Sequence, residues 1–333
     1  MDLSILIISF NTRELTLACL RSVFDHAVDA EIEVILWDNA SSDGSADAVA
    51  EAFPQVRLVR CEENLGFGIA NNRAAELATG DRLLLLNSDT EVDPGTLDRL
   101  LAFAEAHPQA GVIGGRTFFG DRTLNPTSVY GRPSLRAVAC KGLGLSVIGR
   151  RSKWLNPESL GGWARDTARP VDIITGCFLM MRKTDWDRLG GFDERFFMYG
   201  EDWDLCLRAK ANGLDGWLCP DATLIHHGGK SDRVRADKMV KLFEANARLF
   251  ATHWPAGKAW FGVRMLDLWA GTRALGHAAL SVVQPKRKES FATWREVWQR
   301  RGTWHDAARD PETRHVPTPA ATPVATSPAE APA

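Results

Sequence analysis

Acidic and amide side chains follow short apolar runs at several points of the chain, and the clearest case follows Leu83–Leu86. Asn87, Ser88 and Asp89 come directly after this run, which has the length and composition of a strand buried on both faces of a parallel sheet. Ligands of open α/β sheets bind at the carboxyl ends of the strands. Asp89 therefore lies where a divalent cation and a phosphorylated ligand are expected. An Asx-rich turn after a core strand is the alternative interpretation.

A second acidic cluster contains Glu201 and Asp202. It follows an aromatic run and opens a predicted helix that ends near Ala211. A carboxylate at this position could act as a general base, or it could simply complement the positive end of the helix dipole. Asp204 and Arg208 are four residues apart on the same helix, a spacing that predicts a structural ion pair.

Four apolar segments predict the strands that position these side chains. They are Leu3–Ser9, Glu31–Trp37, Val56–Val59 and Leu83–Leu86. Each is followed by a helix-like segment, and this alternation predicts βαβ units and an α/β fold with a parallel sheet. Each strand also ends near Asn, Asp, Ser or Gly, and four such ends in succession indicate one continuous site.

Residues 3–229 resemble the family 2 glycosyltransferases, which are inverting nucleotide-sugar enzymes of the GT-A fold. The motifs that carry the resemblance are SILIISFNT, VILWDNASSDGS, NLGFGIANNRAAELATGD, LLLLNSDT, GCFLMMRKTDWDRLGGFDERFFMYGEDWDLCLRAKANG and HHGGKS. The resemblance implies a Rossmann-like, mostly parallel sheet flanked by helices. Asn87-Ser88-Asp89, in place of Asp-x-Asp, is most similar to the bacterial rhamnosyltransferases of this family.

The resemblance also implies a site for the nucleotide. Asp38 would accept a hydrogen bond from the N3–H of a uracil or thymine ring, with Phe10 and Asn11 flanking that ring. Capping of the helix after Gly44 is the alternative role for Asp38.

A glycine-containing segment would pass close to the nucleotide, because glycine permits a close approach of the backbone. Many relatives place an arginine where Asn71 stands, and Arg73 is the candidate that would replace it beside the diphosphate. The predicted nucleotide-sugar-binding residues are Phe10, Asn11, Asp38, Asn64, Gly66, Asn72, Arg73, Asn87 and Ser88.

The chemistry implied by the resemblance is metal-assisted displacement of a nucleoside diphosphate. Asp89 and His226 would hold Mg²⁺ or Mn²⁺, with His227 as the alternative ligand, and the metal would stabilise the leaving group as a Lewis acid. A histidine bonded to backbone at a strand end is the other interpretation. Asp202 would be the base that takes the proton of the acceptor hydroxyl, and Glu201 would orient the site.

The chain divides into regions of different composition. We predict a GT-A catalytic domain over residues 1–231, a variable acceptor-side insertion at about 123–169, a basic, Trp-rich helical extension over 232–305 and a disordered Pro/Ala-rich tail over 306–333. The stretch 230–301 holds 15 Lys or Arg against 6 Asp or Glu, and half of the 12 tryptophans lie in the extension. Basic residues beside tryptophan are typical of a helix at an anionic membrane surface. A helical cap on the domain, or a homodimer contact, is equally consistent with this composition.

Composition places the protein in the cytoplasm. The six cysteines have no paired metal spacing and are expected to be reduced thiols, and neither a signal peptide nor a spanning segment is predicted. We expect transfer of L-rhamnose from dTDP-L-rhamnose to a glycan or polyprenyl-linked acceptor at the inner face of the cell membrane, without nucleic acid. A UDP-hexose donor, or a non-catalytic nucleotide-sugar-binding protein, are the alternatives. A nucleotidyltransferase is disfavoured because no Gly-rich basic loop follows the first strand.

Overall fold

A computed structural model describes residues 1–26, 29–228 and 235–310. Its strands are β1 Leu3–Ser9, β2 Ile32–Asp38, β3 Arg57–Arg60, β4 Arg82–Asn87, β5 Thr90–Val92, β6 Ala110–Phe118, β7 Leu124–Asn125, β8 Val129–Tyr130, β9 Arg169–Val171, β10 Ile173–Ile174, β11 Phe178–Arg182 and β12 Asp215–His226. Its helices are α1 Arg13–Phe24, α2 Ser45–Ala52, α3 Gly66–Leu77, α4 Thr96–Ala106, α5 Leu135–Gly142, α6 Leu145–Ile148, α7 Lys183–Leu189, α8 Glu201–Ala211, α9 Arg235–His253, α10 Ala256–Val283, α11 Arg287–Gln299 and α12 Gly302–Arg309.

Ten strands form one central sheet in the order β3-β2-β1-β4-β11-β6-β12-β5, with β7 paired to β6 and β9 paired to β12. Strands β3, β2, β1 and β4 are parallel, β11 runs antiparallel between β4 and β6, and β12 is parallel to β6. The register aligns Ser9 with Asp38 and Ile8 with Asn87. The polar ends of three strands therefore lie side by side, as the sequence predicts.

The sheet is buried on both faces. Side chains that alternate along β1 and β4 enter two separate clusters, so that Ile5 and Leu84 pack on one face while Leu6 and Leu85 pack on the other. Because both faces are covered by helices, these strands are continuously apolar rather than alternating. The prediction of an α/β fold with a mostly parallel sheet is confirmed.

The insertion at 123–169 is an ordered layer rather than a bare loop. It contains β7, β8, α5, α6 and two short 3₁₀ turns, and β8 pairs with β10 in a small second sheet. Helix α5 packs against α10, where the Thr272 hydroxyl donates a hydrogen bond to the Gly142 carbonyl over 2.8 Å. The insertion therefore connects the catalytic sheet with the C-terminal helices.

The C-terminal helices pack together as a cap. Trp254, Trp294 and Trp304 are buried in one apolar cluster with residues of α9 and α10, so these tryptophans serve the interior and not an interface with lipid. Helix α12 runs to Arg309, which corrects the predicted start of a disordered tail at residue 306. The predicted boundary near residue 231 and the tail from residue 311 lie outside the described residues. None of the helices in the described part of the chain has an apolar stretch that would span a lipid bilayer.

Candidate active site

A cavity of about 770 Å³ opens at the carboxyl ends of β1 and β4. Three parts of the chain form most of its walls. The strand ends contribute Phe10, Asn87, Ser88, Asp89 and His226, and the start of α8 contributes Glu201 and Asp202. The rest of the wall comes from the insertion and the C-terminal helices, with smaller contributions from the start of α3 and from residues 175–177. The two acidic clusters of the sequence thus line one space.

Asp89 faces a histidine across this cavity. The turn between β4 and β5 carries Asp89, and β12 runs antiparallel to β5, so His226 reaches it with Nε2 3.3 Å from Asp89 Oδ1. Burial disfavours the charged carboxyl, but the hydrogen bond and positive charge of the His226 ring outweigh burial and lower the pKa of Asp89. Asp89 is therefore an anion beside the positively charged His226 ring.

His227 is engaged elsewhere. Its Nε2 lies 2.6 Å from Glu91 Oε1, while its backbone N–H donates to the Asp89 carbonyl over 2.9 Å. Its ring lines the cavity but does not pair with Asp89. Of the two adjacent histidines, the geometry favours His226 as the partner of Asp89.

The donor atoms at this point suit a divalent cation that completes its shell with a substrate. Within residues 1–26, 29–228 and 235–310, no group of three His, Cys, Asp or Glu side chains is arranged to hold a metal. Asp89 and His226 supply one carboxylate and one imidazole. A Mg²⁺ or Mn²⁺ ion of a phosphoryl-binding site characteristically takes one or two protein ligands and fills its shell with phosphate oxygens and water. The pair fits such an ion and does not fit a closed structural site.

The acidic cluster opens α8 from a tight turn. Gly200 has φ of +90°, and a Cβ there would lie 2.9 Å from the Phe196 ring, so glycine is needed at this position. The two oxygens of Asp202 accept hydrogen bonds from the backbone N–H of Gly176 over 3.0 Å and of Trp203 over 2.8 Å. These bonds fix the orientation of the carboxyl towards the cavity.

Burial changes the protonation of both carboxyls of the cluster. Burial raises the pKa of Asp202 to about 6, and the two backbone hydrogen bonds only partly offset it. Burial and the neighbouring Asp202 charge raise the pKa of Glu201 well above its ordinary range. Glu201 Oε2 finds no hydrogen-bond partner among the described residues. Burial and the Asp202 charge therefore both favour the neutral form of Glu201.

An ion-pair network locks α8 to α9. Asp204 is fully buried and pairs with Arg208 over 2.6 Å and with His253 over 2.7 Å. Arg208 also donates to the carbonyls of Leu189 and Gly191. The predicted structural pair of Asp204 and Arg208 is thus present, and a histidine of the C-terminal cap completes it.

Of the three predicted base-binding residues, Phe10 lines the cavity, whereas Asp38 and Asn11 do not. Asp38 is buried; its Oδ2 accepts from the Ser41 N–H over 3.1 Å, and its Oδ1 has no partner in the described chain. Asp38 does not cap α2, since Asp43 accepts the Ser45 N–H there. Asn11, whose φ is +53°, follows Phe10 in the chain and does not itself line the cavity.

Gly66 serves a protein contact. Its φ is +80°, and a Cβ would lie 2.4 Å from the Phe197 carbonyl oxygen. Asn64 Oδ1 accepts from the Gly66 N–H and from Asn39 Nδ2, each over 2.9 Å. Both Asn64 and Gly66 line the cavity, but the glycine is required by the segment before α8.

Asn72 and Arg73 do not reach the cavity. The Asn72 amide bonds both the N–H and the carbonyl of Phe192, and Arg73 pairs with Glu76 and Glu194 on the surface. Their side chains point away from the strand ends because α3 presents this face to the Phe192 segment. We therefore leave both out of the proposed site, which corrects their predicted role.

The sequence did not show which residues form the far wall of the cavity. This wall consists of Thr127, Tyr130, Lys141, Glu158, Lys238, Met239, Leu242, Phe243, Asn246, Leu249 and Trp269. Lys141 pairs with the buried Glu158, and the Lys141 ammonium lies 5.5 Å from the Trp269 ring centre. The Gly- and Pro-containing insertion was predicted as an acceptor region. The helical spacing in α9 showed only that one face is buried, not what it faces.

The fold and the acidic cleft define a glycosyltransferase of the GT-A class. Residues 4–189 match the model of glycosyl transferase family 2, and the chain belongs to this family. Residues 165–230, which include the second acidic cluster, match a model described as the N-terminal domain of galactosyltransferase.

Two proteins of related sequence and one solved structure are similar to this chain. An N-acetylglucosaminyl-diphospho-decaprenol L-rhamnosyltransferase of Mycobacterium tuberculosis is 34% identical over 225 residues, 62% of this chain and 69% of that protein. The O-antigen biosynthesis protein RfbC of Myxococcus xanthus is 31% identical over 61% of this chain and 16% of that protein. A mannosyltransferase from Pyrobaculum calidifontis, solved with GDP-Man and Mn²⁺, shares the fold with a TM-score of 0.54 at 18% identity, covering 92% of this chain and 86% of that one.

Proposed function

We propose that this family 2 glycosyltransferase moves L-rhamnose from dTDP-L-rhamnose, with inversion, to a lipid-linked sugar acceptor for cell-envelope polysaccharide. The observation that carries the proposal is that Asp89, His226, Glu201 and Asp202 line one cavity. The mycobacterial relative, an N-acetylglucosaminyl-diphospho-decaprenol L-rhamnosyltransferase, supports rhamnose and a diphospho-polyprenol acceptor. A UDP-hexose donor is the alternative within the same chemistry.

The donor would lie along the strand ends. Phe10 would contact the base, and Asp38, buried with one unpartnered oxygen next to Asn39, would accept the N3–H after a small movement of the Ser41 turn. The diphosphate would lie at Asn87, Ser88 and Asp89. Mg²⁺ or Mn²⁺, held by Asp89, His226 and the phosphates, would supply Lewis-acid stabilisation of the leaving diphosphate.

Asp202 would remove the proton from the attacking hydroxyl. A pKa of about 6 leaves it ionised at neutral pH and still basic enough to accept a proton, as general-base catalysis requires. The N–H groups of Gly176 and Trp203 hold the carboxylate in place, which limits the reorganisation needed at the moment of attack. A protonated Glu201 can donate a hydrogen bond to the acceptor or to Asp202.

The acceptor would occupy the far wall. Tyr130 and Trp269 offer aromatic faces for a sugar ring, and the Lys141–Glu158 pair offers a cation and a carboxylate for polar groups of the acceptor. Because this wall comes from the insertion and the cap, both would contribute to acceptor choice. A lipid-linked acceptor would bring the enzyme to the cytoplasmic face of the membrane.

A donor panel tests the proposal. Purified protein with Mg²⁺ or Mn²⁺ is incubated with dTDP-L-rhamnose, UDP-glucose, UDP-galactose or UDP-N-acetylglucosamine and a membrane-lipid extract, and nucleoside diphosphate release is measured. We expect metal-dependent release from dTDP-L-rhamnose, absent in Asp202→Asn. Release from a UDP-sugar alone would replace the donor and keep the chemistry. Release from no donor, with no nucleotide raising the melting temperature, would refute a transferase role.

A further inference from the structure

Two exposed apolar segments stand out on the surface. In and after α6, Ile148 is 83% exposed and Trp154 is 74% exposed, and Leu143 and Val147 are also exposed. Single exposed apolar side chains are ordinary, but several within one short stretch mark an interaction surface.

The second segment is the tip of the α10–α11 hairpin. Helix α10 has 28 residues, and its buried residues all lie between Ala259 and Ala270. Beyond them Leu275, Leu280, Val282 and Val283 are exposed, with Val282 at 84%. The second half of the helix therefore projects past the core that holds its first half.

The first segment lies beside α10 at the point where the exposed half of that helix begins. The Thr272–Gly142 hydrogen bond joins α10 to the end of α5, one residue before Leu143. Arg273 is the next residue of α10. Its pKa is lowered by burial and, to a smaller extent, by the charge of Arg150. Arg150 therefore lies near Arg273, so the loop after α6 is beside the second half of α10.

The charged side chains around both segments are mostly basic, although Glu289 follows Lys288 at the start of α11. Residues 123–157 contain six Lys or Arg and residues 268–288 contain four, and neither stretch contains Asp or Glu. Arg150, Arg151 and Lys153 flank the first apolar segment, and Lys286, Arg287 and Lys288 follow the second. A second copy of the same face would repel it, whereas an anionic lipid surface complements it.

The same elements continue into the cavity. Lys141, two residues before Leu143, and Trp269, six residues before Leu275, both line the far wall. The exposed surface is thus an outward extension of the elements that form the proposed acceptor wall.

We propose that the α6 segment and the α10–α11 tip together form a docking surface for anionic lipid, next to the acceptor side of the cavity. Apolar side chains enter the headgroup region and the flanking basic residues contact lipid phosphates. Its purpose depends on the proposed function, because docking would present a lipid-linked acceptor to the cavity. The docking itself needs neither donor nor acceptor. This location differs from the one predicted from tryptophan content, since Trp254, Trp294 and Trp304 are buried.

Sedimentation of the full chain with vesicles tests the proposal. Vesicles contain phosphatidylglycerol and phosphatidylcholine in equal parts, or phosphatidylcholine alone, without nucleotide sugar. We expect binding to the anionic vesicles, with most of it lost at about 0.5 M salt, where screening is severe. Lys286→Gln, Arg287→Gln and Lys288→Gln together should weaken binding roughly 100-fold, because each basic residue contributes about fivefold.

The apolar part has its own variant and a matched control. Ile148→Ser, Val282→Ser and Val283→Ser together should weaken binding by at least roughly 30-fold, since each removes apolar area from lipid. Trp260→Ser changes an exposed residue at the opposite end of α10 and should leave binding unchanged. All these side chains are exposed, so the melting temperatures should match that of the wild type.

Three results would overturn the proposal. The first is that the wild type does not bind anionic vesicles, and the second is that both triple variants bind them as the wild type does. The third is that the wild type does not bind vesicles but forms a dimer in sedimentation velocity, and that the apolar variant is a monomer. Donor binding, measured by the nucleotide's effect on the melting temperature without lipid, should persist in every variant. If no nucleotide raises the melting temperature of the wild type, this result would count against the proposed function and not against docking.

Discussion

Replacing Asp202 with asparagine should remove activity and, above pH 7, stabilise the protein. In the unfolded chain this carboxyl ionises near its ordinary pKa of 3.8, whereas in the folded protein burial raises the pKa to about 6. Between these values the folded state binds the extra proton, so stability falls as the pH rises through the interval. The carboxylate thus lowers stability most above pH 6.

The magnitude follows from the same values. A difference between 3.8 and about 6 corresponds to about 3 kcal/mol at pH 8, at about 1.4 kcal/mol per pKa unit. Asparagine offers only one accepting oxygen, so one of the N–H groups of Gly176 and Trp203 loses its partner, at a cost of about 1 kcal/mol. We therefore expect the variant to be about 1–2 kcal/mol more stable than the wild type at pH 8 and not more stable at pH 4.

Urea unfolding at several pH values checks this expectation, with donor turnover measured in parallel. Asp187→Asn, a change at an exposed position on α7, is the matched control and should alter neither the pH dependence nor turnover. Loss of the base should lower turnover by about 10²–10⁴-fold. A variant that is less stable than the wild type at pH 8, or that retains turnover, would refute the reasoning about this carboxyl.

Three further substitutions separate the roles of neighbouring charges. Glu201→Gln imitates the protonated acid and should keep turnover within about tenfold near pH 7, because the pKa of Glu201 is raised by burial and by Asp202; a loss as large as that of Asp202→Asn would mean that Glu201 acts as an anion. Asp89→Asn should raise the Mn²⁺ concentration needed for half-maximal turnover by about 10–100-fold, whereas His227→Asn should change this concentration little. Removal of the metal with a chelator should abolish turnover. Asp204→Asn leaves the buried Arg208 guanidinium without its carboxylate and weakens the contact with His253, and it should cost about 3–5 kcal/mol in urea unfolding. A cost below about 1 kcal/mol would contradict the network.

The sheet and the acidic clusters could be predicted because their signals are local. An apolar run of strand length that ends in Asn or Asp fixes both a buried strand and a polar turn, and the observed bounds of β1, β2, β3 and β4 lie within one residue of the predicted ones. The start of α8 at Glu201 is equally local. Since parallel strands align their carboxyl ends, the strand-end part of the site follows from the strands.

The remaining features depend on partners far apart in the chain. Asn72 meets Phe192 across 120 residues, and no local pattern distinguishes such an amide from one that binds a ligand. The sequence predicts that Gly66 lets the backbone approach the donor phosphates. In the structure the group packed closely against Gly66 is the Phe197 carbonyl. Amphipathic spacing in α9 predicts a buried face without saying that Phe243 and Met239 line a cavity.

The tryptophans of the cap illustrate the same limit. Their alternation with Arg and Lys is the composition of a membrane-surface helix and also of a packed helical layer. Trp304 is completely buried, and its Nε1 donates to Asp267 over 3.0 Å. Composition shows that tryptophans and basic residues are mixed in these helices, but it does not show which of the tryptophans face the interior.

The stereochemistry of the product tests the central claim most directly. The protein is incubated with dTDP-L-rhamnose, Mn²⁺ and a short-chain prenyl-diphosphate-linked N-acetylglucosamine, and the anomeric configuration of the new bond is determined by NMR. Asp202 as base predicts a rhamnosyl product with the configuration opposite to that of the donor, formed by the wild type and not by Asp202→Asn. A product that retains the donor's configuration, or one that Asp202→Asn forms at the wild-type rate, would contradict the account.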